Sequence, residues 1–137
     1  MTYQEILSIQ TPGRGMLEIT SAIAKVVKQA HCPAGLCNLF IQHTSASLII
    51  GENADRQVQR DLEAFLSRLV PDGDPIFKHT AEGKDDMPAH VRTVLTQTSL
   101  LIPIQDYWLS LGTWQGIYLW EHRQHAHSRQ VVVTVLS

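Results

Sequence analysis

The strand that begins at Gly116, within "TWQGIYLWE", is apolar on both of its faces. With the two-residue period of a strand, Ile117 and Leu119 point one way, and Trp114, Tyr118 and Trp120 point the other. Neither face is suited to water, so the strand has to be covered on both sides. Glu121 is in phase with Gln115, Ile117 and Leu119 and is carried inward with them. A carboxylate removed from water must be paired, bound to a metal or protonated. The alternative is a strand end that has already emerged into solvent, and the pattern leaves both readings open.

The rest of the chain supplies the elements to cover such a strand. Residues 3–9 read as a strand ended by Thr11-Pro12-Gly13, and 20–31 as a helix with Ile23, Val26, Val27 and Ala30 at helical spacing behind Thr20/Ser21. Residues 36–43 form a strand in which Cys37, Leu39, Ile41 and His43 share one face, and 46–51 form the next. An amphipathic helix spans about 55–69, with Val58, Leu62, Phe65, Leu66 and Leu69 on one stripe. Another starts at Asp86-Met87-Pro88, with Asp86 as its cap, and runs to about Gln97, burying Val91, Val94 and Leu95. Strands at 99–104, 106–111, 116–123 and 130–136 complete the chain. Short strands interrupted by helices, without regular βα alternation, predict an α+β fold on antiparallel sheets. At 137 residues, with no repeat or linker-like tract, 1–137 is expected to be one domain.

Charge and composition narrow the partners. A net charge of −2 with interspersed signs leaves no basic stripe for nucleic acid. No apolar run approaches the roughly 18 residues that span a bilayer, and "MTYQEILSIQTPGRG" lacks the layout of a signal peptide. Cys32 and Cys37 are expected as reduced thiols, since no second pair completes a zinc site. The cytoplasm is the expected compartment, with no membrane partner.

Candidate chemistry lies in the polar clusters. Seven histidines is many for this length. His43 ends a buried strand, His79 lies in "FKHTAEGKDDMPAH", and His90 sits early in the following helix. They match no local zinc signature, but ligands from separate elements do meet in catalytic zinc sites. A three-histidine metal site and three separately hydrogen-bonded rings both remain open. His122, His125 and His127 fall in "EHRQHAHSRQ", which reads as a solvated hairpin connection. Glu52, Asn53 and Asp55 crowd a helix start, where capping accounts for Asn53 or Asp55 but not for Glu52 as well. Ser45 lacks a nucleophile elbow, and there is no nucleotide-binding glycine loop.

Several stretches together resemble one known family. "HTSASLIIGENAD" (43–55), "HTAEGKDDMPAH" (79–90), "IPIQDYWLSLGTWQGIYLWE" (102–121) and "RQVVVTV" (129–135) occur in its order along nearly the whole chain. The resemblance is to the YjbQ-type family, also called the secondary thiamine-phosphate synthase family. Two stretches depart from its pattern: the segment after Glu121 lacks the usual Arg-rich, Gly-Pro-containing turn, and "IQDYW" replaces a glycine-containing version.

The resemblance implies an antiparallel β-sandwich-like domain with flanking helices, assembled as a homotrimer around a polar pocket that often holds a metal. Its polar positions fall on His43, Thr44, Ser45, Glu52, Asn53, Asp55, His79, Asp86, His90, Trp114, Gln115, Glu121 and Arg129. It also implies the joining of hydroxymethylpyrimidine diphosphate to thiazole phosphate, with release of pyrophosphate, as a weak or secondary activity. On this expectation His43, His79 and His90 hold a divalent metal, zinc rather than magnesium because imidazoles are the ligands. Glu52, Asp55 and Glu121 are the expected catalytic carboxylates. Thr44, Ser45, Asn53, Trp114, Gln115 and Arg129 are expected to contact the small-molecule substrate. A metal-dependent hydrolase, or a non-catalytic homotrimer that binds a metal or small molecule, are the alternatives.

Overall fold

A computed structural model describes all 137 residues, as eight strands and three helices. In chain order these are β1 (Thr2–Gln10), β2 (Gly15–Glu18), α1 (Thr20–Ala30), β3 (Ala34–Ile41), β4 (Ala46–Glu52), α2 (Arg56–Leu69), α3 (Asp86–Leu95), β5 (Ser99–Gln105), β6 (Trp108–Leu109), β7 (Gln115–Glu121) and β8 (Ser128–Leu136). All pairings are antiparallel. One sheet has the order β1-β8-β3-β5-β6 and the other β2-β7-β4, which makes the α+β, sandwich-like arrangement with flanking helices.

The two-faced strand lies where its composition requires. β7 is the middle strand of the smaller sheet and is buried from Gly116 to Glu121. Ile117 and Leu119 enter a core of 19 buried residues, shared with Cys37, Leu39 and Ile41 of β3, Val131, Val133 and Val135 of β8, and Ile23, Val26 and Val27 of α1. Trp120, on the opposite face, packs with Leu66 of α2 and with Val70. The strand alternation read from the sequence therefore selects the correct inward face of β3.

The helices depart from expectation in instructive ways. Thr20 does not cap α1 through its side chain. Its hydroxyl instead donates to Glu18 and accepts from the Ile117 N–H, tying the helix start to β7. Asp55 caps α2, accepting from Gln57 N at 2.9 Å. In α3 the expected apolar face is not the buried one: Val94 is 83% exposed and Leu95 56%. The buried side instead carries Asp86, Pro88, Ala89, Arg92 and Thr93. Ion pairs set that orientation, Arg92 to Glu63 of α2 and Asp86 to Arg123, since buried charges must be paired.

Three further differences concern the strands and their connections. β2 has only four residues and was not expected, and the expected strand over 106–111 shrinks to the two residues of β6, after left-handed backbone at Asp106 and Tyr107. His122 is fully buried rather than solvated, whereas His125 is exposed. The outer face of the larger sheet keeps Ile6, Leu36, Phe40, Leu101 and Leu136 in water. No helix is long and apolar enough to cross a membrane.

Candidate metal centre and its cleft

Asp86, in the first turn of α3, is 1% exposed. Its Oδ2 lies 2.8 Å from His79 Nε2 and 3.2 Å from His90 Nε2, one helical turn further on. Its Oδ1 accepts from Arg123 Nη1 at 3.0 Å. Arg123 also donates to Asp85 and to the Glu82 carbonyl, so one guanidinium fastens the 79–86 loop to the chain after β7. Burial works against the Asp86 charge. The His79 hydrogen bond, with His90 and Arg123 nearby, outweighs it and holds the carboxyl below its usual range.

The proton on His90 can be placed by chemistry. Nδ1 lies 2.9 Å from the Thr44 carbonyl oxygen, which can only accept, so Nδ1 carries the hydrogen. With one ring proton, His90 turns the lone pair of Nε2 toward a carboxylate oxygen at 3.2 Å. Two acceptors that close need a second proton or a cation between them. A metal-bound histidine typically donates its other N–H to a carbonyl or carboxylate, which is the arrangement at Thr44. The donor atoms of His79, Asp86 and His90 all lie within 4.8 Å of one another. Ligands at zinc bond lengths in a tetrahedron stand about 3.3–3.5 Å apart, close to the His90–Asp86 separation. The residues therefore fit a divalent cation held by three protein groups. The His79 side chain is 53% exposed, so the solvent side offers room for a further ligand.

His43 does not join these donors. Its Nε2 accepts from the Gln130 N–H at 2.8 Å. It faces the same cleft as His90, about 540 Å³ in volume and lined also by Thr44, Thr93, Val94, Thr96 and Thr98. Burial and the neighbouring Arg129 charge lower its pKa. The three-imidazole arrangement expected from the sequence is thus replaced by two imidazoles and a carboxylate, with His43 on another wall.

Behind that wall lies a buried ion pair. Glu121 receives Thr11 Oγ1 at 2.7 Å, the Arg123 N–H at 3.1 Å, and both Nε and Nη2 of Arg129. Burial opposes its charge, and the Arg129 and Thr11 hydrogen bonds outweigh it and lower its pKa. Arg129 also donates to the Ser45 carbonyl and hydroxyl. Glu121, Arg129 and Ser45 thus brace the cleft from behind, and none is among its lining residues.

The remaining expected site residues sit elsewhere. Antiparallel pairing sets Ala46 opposite Glu121 and Glu52 opposite Gln115, so Glu52, Asn53, Asp55, Trp114 and Gln115 gather at the far end of β4. Seven residues of strand put that end roughly 20 Å away. There Glu52 Oε2 accepts from the Ala54 and Asp55 N–H groups, Gln115 Oε1 accepts from Gly112 N, and Trp114 is 63% exposed. Thr44 alone of the expected substrate contacts lines the cleft beside His43 and His90. Asp86 was readable as a ligand from the Asp-x-x-x-His spacing within one helix, which brings both groups to one face. Arg123 carried no local signal, because its partners lie 37 and 38 positions away.

A family model described as UPF0047 protein YjbQ-like matches residues 5–137. The UPF0047 protein sll1880 of Synechocystis is 52% identical over 133 residues, covering 97% of this chain and 90% of that one. The UPF0047 protein YjbQ of Escherichia coli O157:H7 is 40% identical and covers 98% of both chains. Among solved structures, the conserved hypothetical protein TT1486 of Thermus thermophilus superposes with a TM-score of 0.86 at 33% identity, covering 96% of this chain and 99% of that one. A YbjQ-like protein of unknown function from Sulfolobus solfataricus shares the fold, with a TM-score of 0.87 at 20% identity over 100% and 99% of the two chains.

Proposed function

The chain belongs to the YjbQ-like UPF0047 family, and on that premise we propose that it is a metal-dependent enzyme whose centre is His79, Asp86 and His90. The observation that carries this reading is the convergence of His79 Nε2 and His90 Nε2 on one oxygen of the buried Asp86, with His90 Nδ1 held by the Thr44 carbonyl. Two imidazoles and one carboxylate favour zinc or a similar late first-row ion over magnesium, which prefers oxygen ligands. The substrate is a small phosphorylated molecule, and the named reaction is thiamine-phosphate formation from hydroxymethylpyrimidine diphosphate and thiazole phosphate.

A divalent ion in this centre would supply neutralisation of the charge that develops on departing pyrophosphate. The chain's own residues hold the geometry. Thr44 fixes the His90 ring, Arg123 fixes Asp86, and the Glu121–Arg129 pair supports the wall that carries His43. A second reading, a metal-dependent hydrolase, draws on the centre's three protein donors and exposed His79, which leave a position for water. Self-association is supported by the apolar residues on the outer face of the larger sheet, and the resemblance suggests a homotrimer as its form. A cytoplasmic setting suits the two free buried thiols.

The test is an assay of purified protein with both synthase substrates under added zinc, manganese or magnesium. The reading predicts thiamine phosphate and pyrophosphate, abolished by chelator and restored by metal. Pyrophosphate or phosphate release without the thiazole partner, also abolished by chelator, selects the hydrolase. No turnover under any metal leaves the non-catalytic binding role and contradicts both.

A further inference from the structure

His43 is caught between two hydrogen-bond donors. The Gln130 backbone N–H lies 2.8 Å from Nε2 and can only donate, so Nε2 is the acceptor and the ring proton sits on Nδ1. Arg129 Nη1 points at that Nδ1 from 3.4 Å, and a guanidinium has no acceptor to offer. Two N–H groups therefore converge, and neither offers the other an acceptor. The other tautomer is worse, because it forces two hydrogens into the 2.8 Å contact. The remaining nitrogens of Arg129 are satisfied, Nε by Glu121 and Nη2 by Ser45 and Glu121. Only Nη1 lacks an acceptor, on a residue that is 4% exposed.

An oxygen at ordinary hydrogen-bond distance, about 2.8–2.9 Å, from both nitrogens closes a triangle on their 3.4 Å separation. His43 faces the cleft shared with His90, and Arg129, which does not line that cleft, reaches the subsite from behind through Nη1 alone. We propose that His43 Nδ1–H and Arg129 Nη1–H form an oxyanion-receiving subsite, which takes one oxygen of a phosphoryl or carboxyl group on the ligand. The subsite deepens the proposed function by assigning which residues receive the substrate's anionic group, and it rests on that reading only for the ligand's identity. The donor pair itself needs no metal. Because Glu121 already balances the Arg129 charge, the subsite offers two directed bonds rather than net attraction. Two such bonds correspond to a dissociation constant for a free ion on the order of 1 mM.

The test uses full-length, chelator-treated protein with nitrogen-15-labelled histidine, followed by NMR at constant ionic strength. Inorganic phosphate and acetate are titrated separately, with chloride as the control. The expected result is an Nδ1–H tautomer at His43, with a saturable shift of its Nδ1 resonance in phosphate, acetate or both. The anion with the tighter half-saturation identifies the group. An Nε2–H tautomer overturns the proposal, and so does a His43 resonance unmoved by either anion. Shifts confined to His79 and His90 also overturn it, since the anion then binds elsewhere. Because no metal is present, a failure of the metal centre leaves this result untouched.

Discussion

At Asp86 two imidazoles share one carboxylate oxygen while Arg123 holds the other, and Asp86 itself sits on a buried helix turn. Deeper in, His122 shows what full burial does to a single ring. Its Nε2 meets Ser47 Oγ at 2.8 Å, its Nδ1 has no partner, and Trp120 packs beside it. Burial, reinforced by the Arg92, Arg14 and Arg129 charges, lowers its pKa to about 3. In the unfolded chain the same ring protonates near 6.5. Between those values the unfolded state binds the extra proton, so stability falls as pH falls, by about 1.4 kcal/mol per unit from this group. His43, also lowered, adds to the loss in the same direction. Urea unfolding at pH 7 and pH 5 is predicted to show a loss in the native chain that is about 2 kcal/mol smaller in His122→Gln. Equal losses in the two proteins would contradict the buried neutral ring.

Whole elements present apolar surface that the chain itself does not cover. β1, β8, β3 and β5 turn Ile6, Leu36, Leu136, Phe40 and Leu101 outward: Ile6 and Phe40 both pair with Val132 and Leu36 pairs with Leu136, on either side of a Gln4–Thr134–Asn38 row that Leu101 adjoins. α3 adds exposed Val94 and Leu95. Apolar side chains exposed in this number on one sheet face support its role as an association surface. Light scattering is therefore predicted to give a mass above that of the 15.4 kDa chain, three times it for the homotrimer proposed above, and a smaller mass for Phe40→Glu with helical and sheet content retained. A native monomer, or an unchanged trimer in the variant, would contradict that assignment. The same elements show what was legible beforehand. Alternation in β3 and the double-sided β7 identified the core, because burial there follows a two-residue period. α3 misled, because its inward face is ionic: periodicity sees Val91, Val94 and Leu95 but not the distant Glu63 and Arg123 that pair with Arg92 and Asp86. His122 misled for the same reason, since its burial depends on elements packed over it and not on its polar neighbours.

Across the molecule, β4 separates two polar clusters that the sequence had grouped together. His43, His79, Asp86 and His90 lie toward one end of the strand, and Glu52, Asn53, Asp55, Trp114 and Gln115 lie at the other. Spacing along a chain cannot reveal that separation, because it arises from strand direction and pairing. The account therefore rests on one end, where two histidines and a carboxylate bracket the place for a cation. A crystal soaked in zinc and measured at the zinc absorption edge tests this most directly. The account predicts one anomalous peak per chain, about 2.0–2.2 Å from His79 Nε2, Asp86 Oδ2 and His90 Nε2. A peak at His43, or at the exposed His125, with none among those three groups, would contradict it.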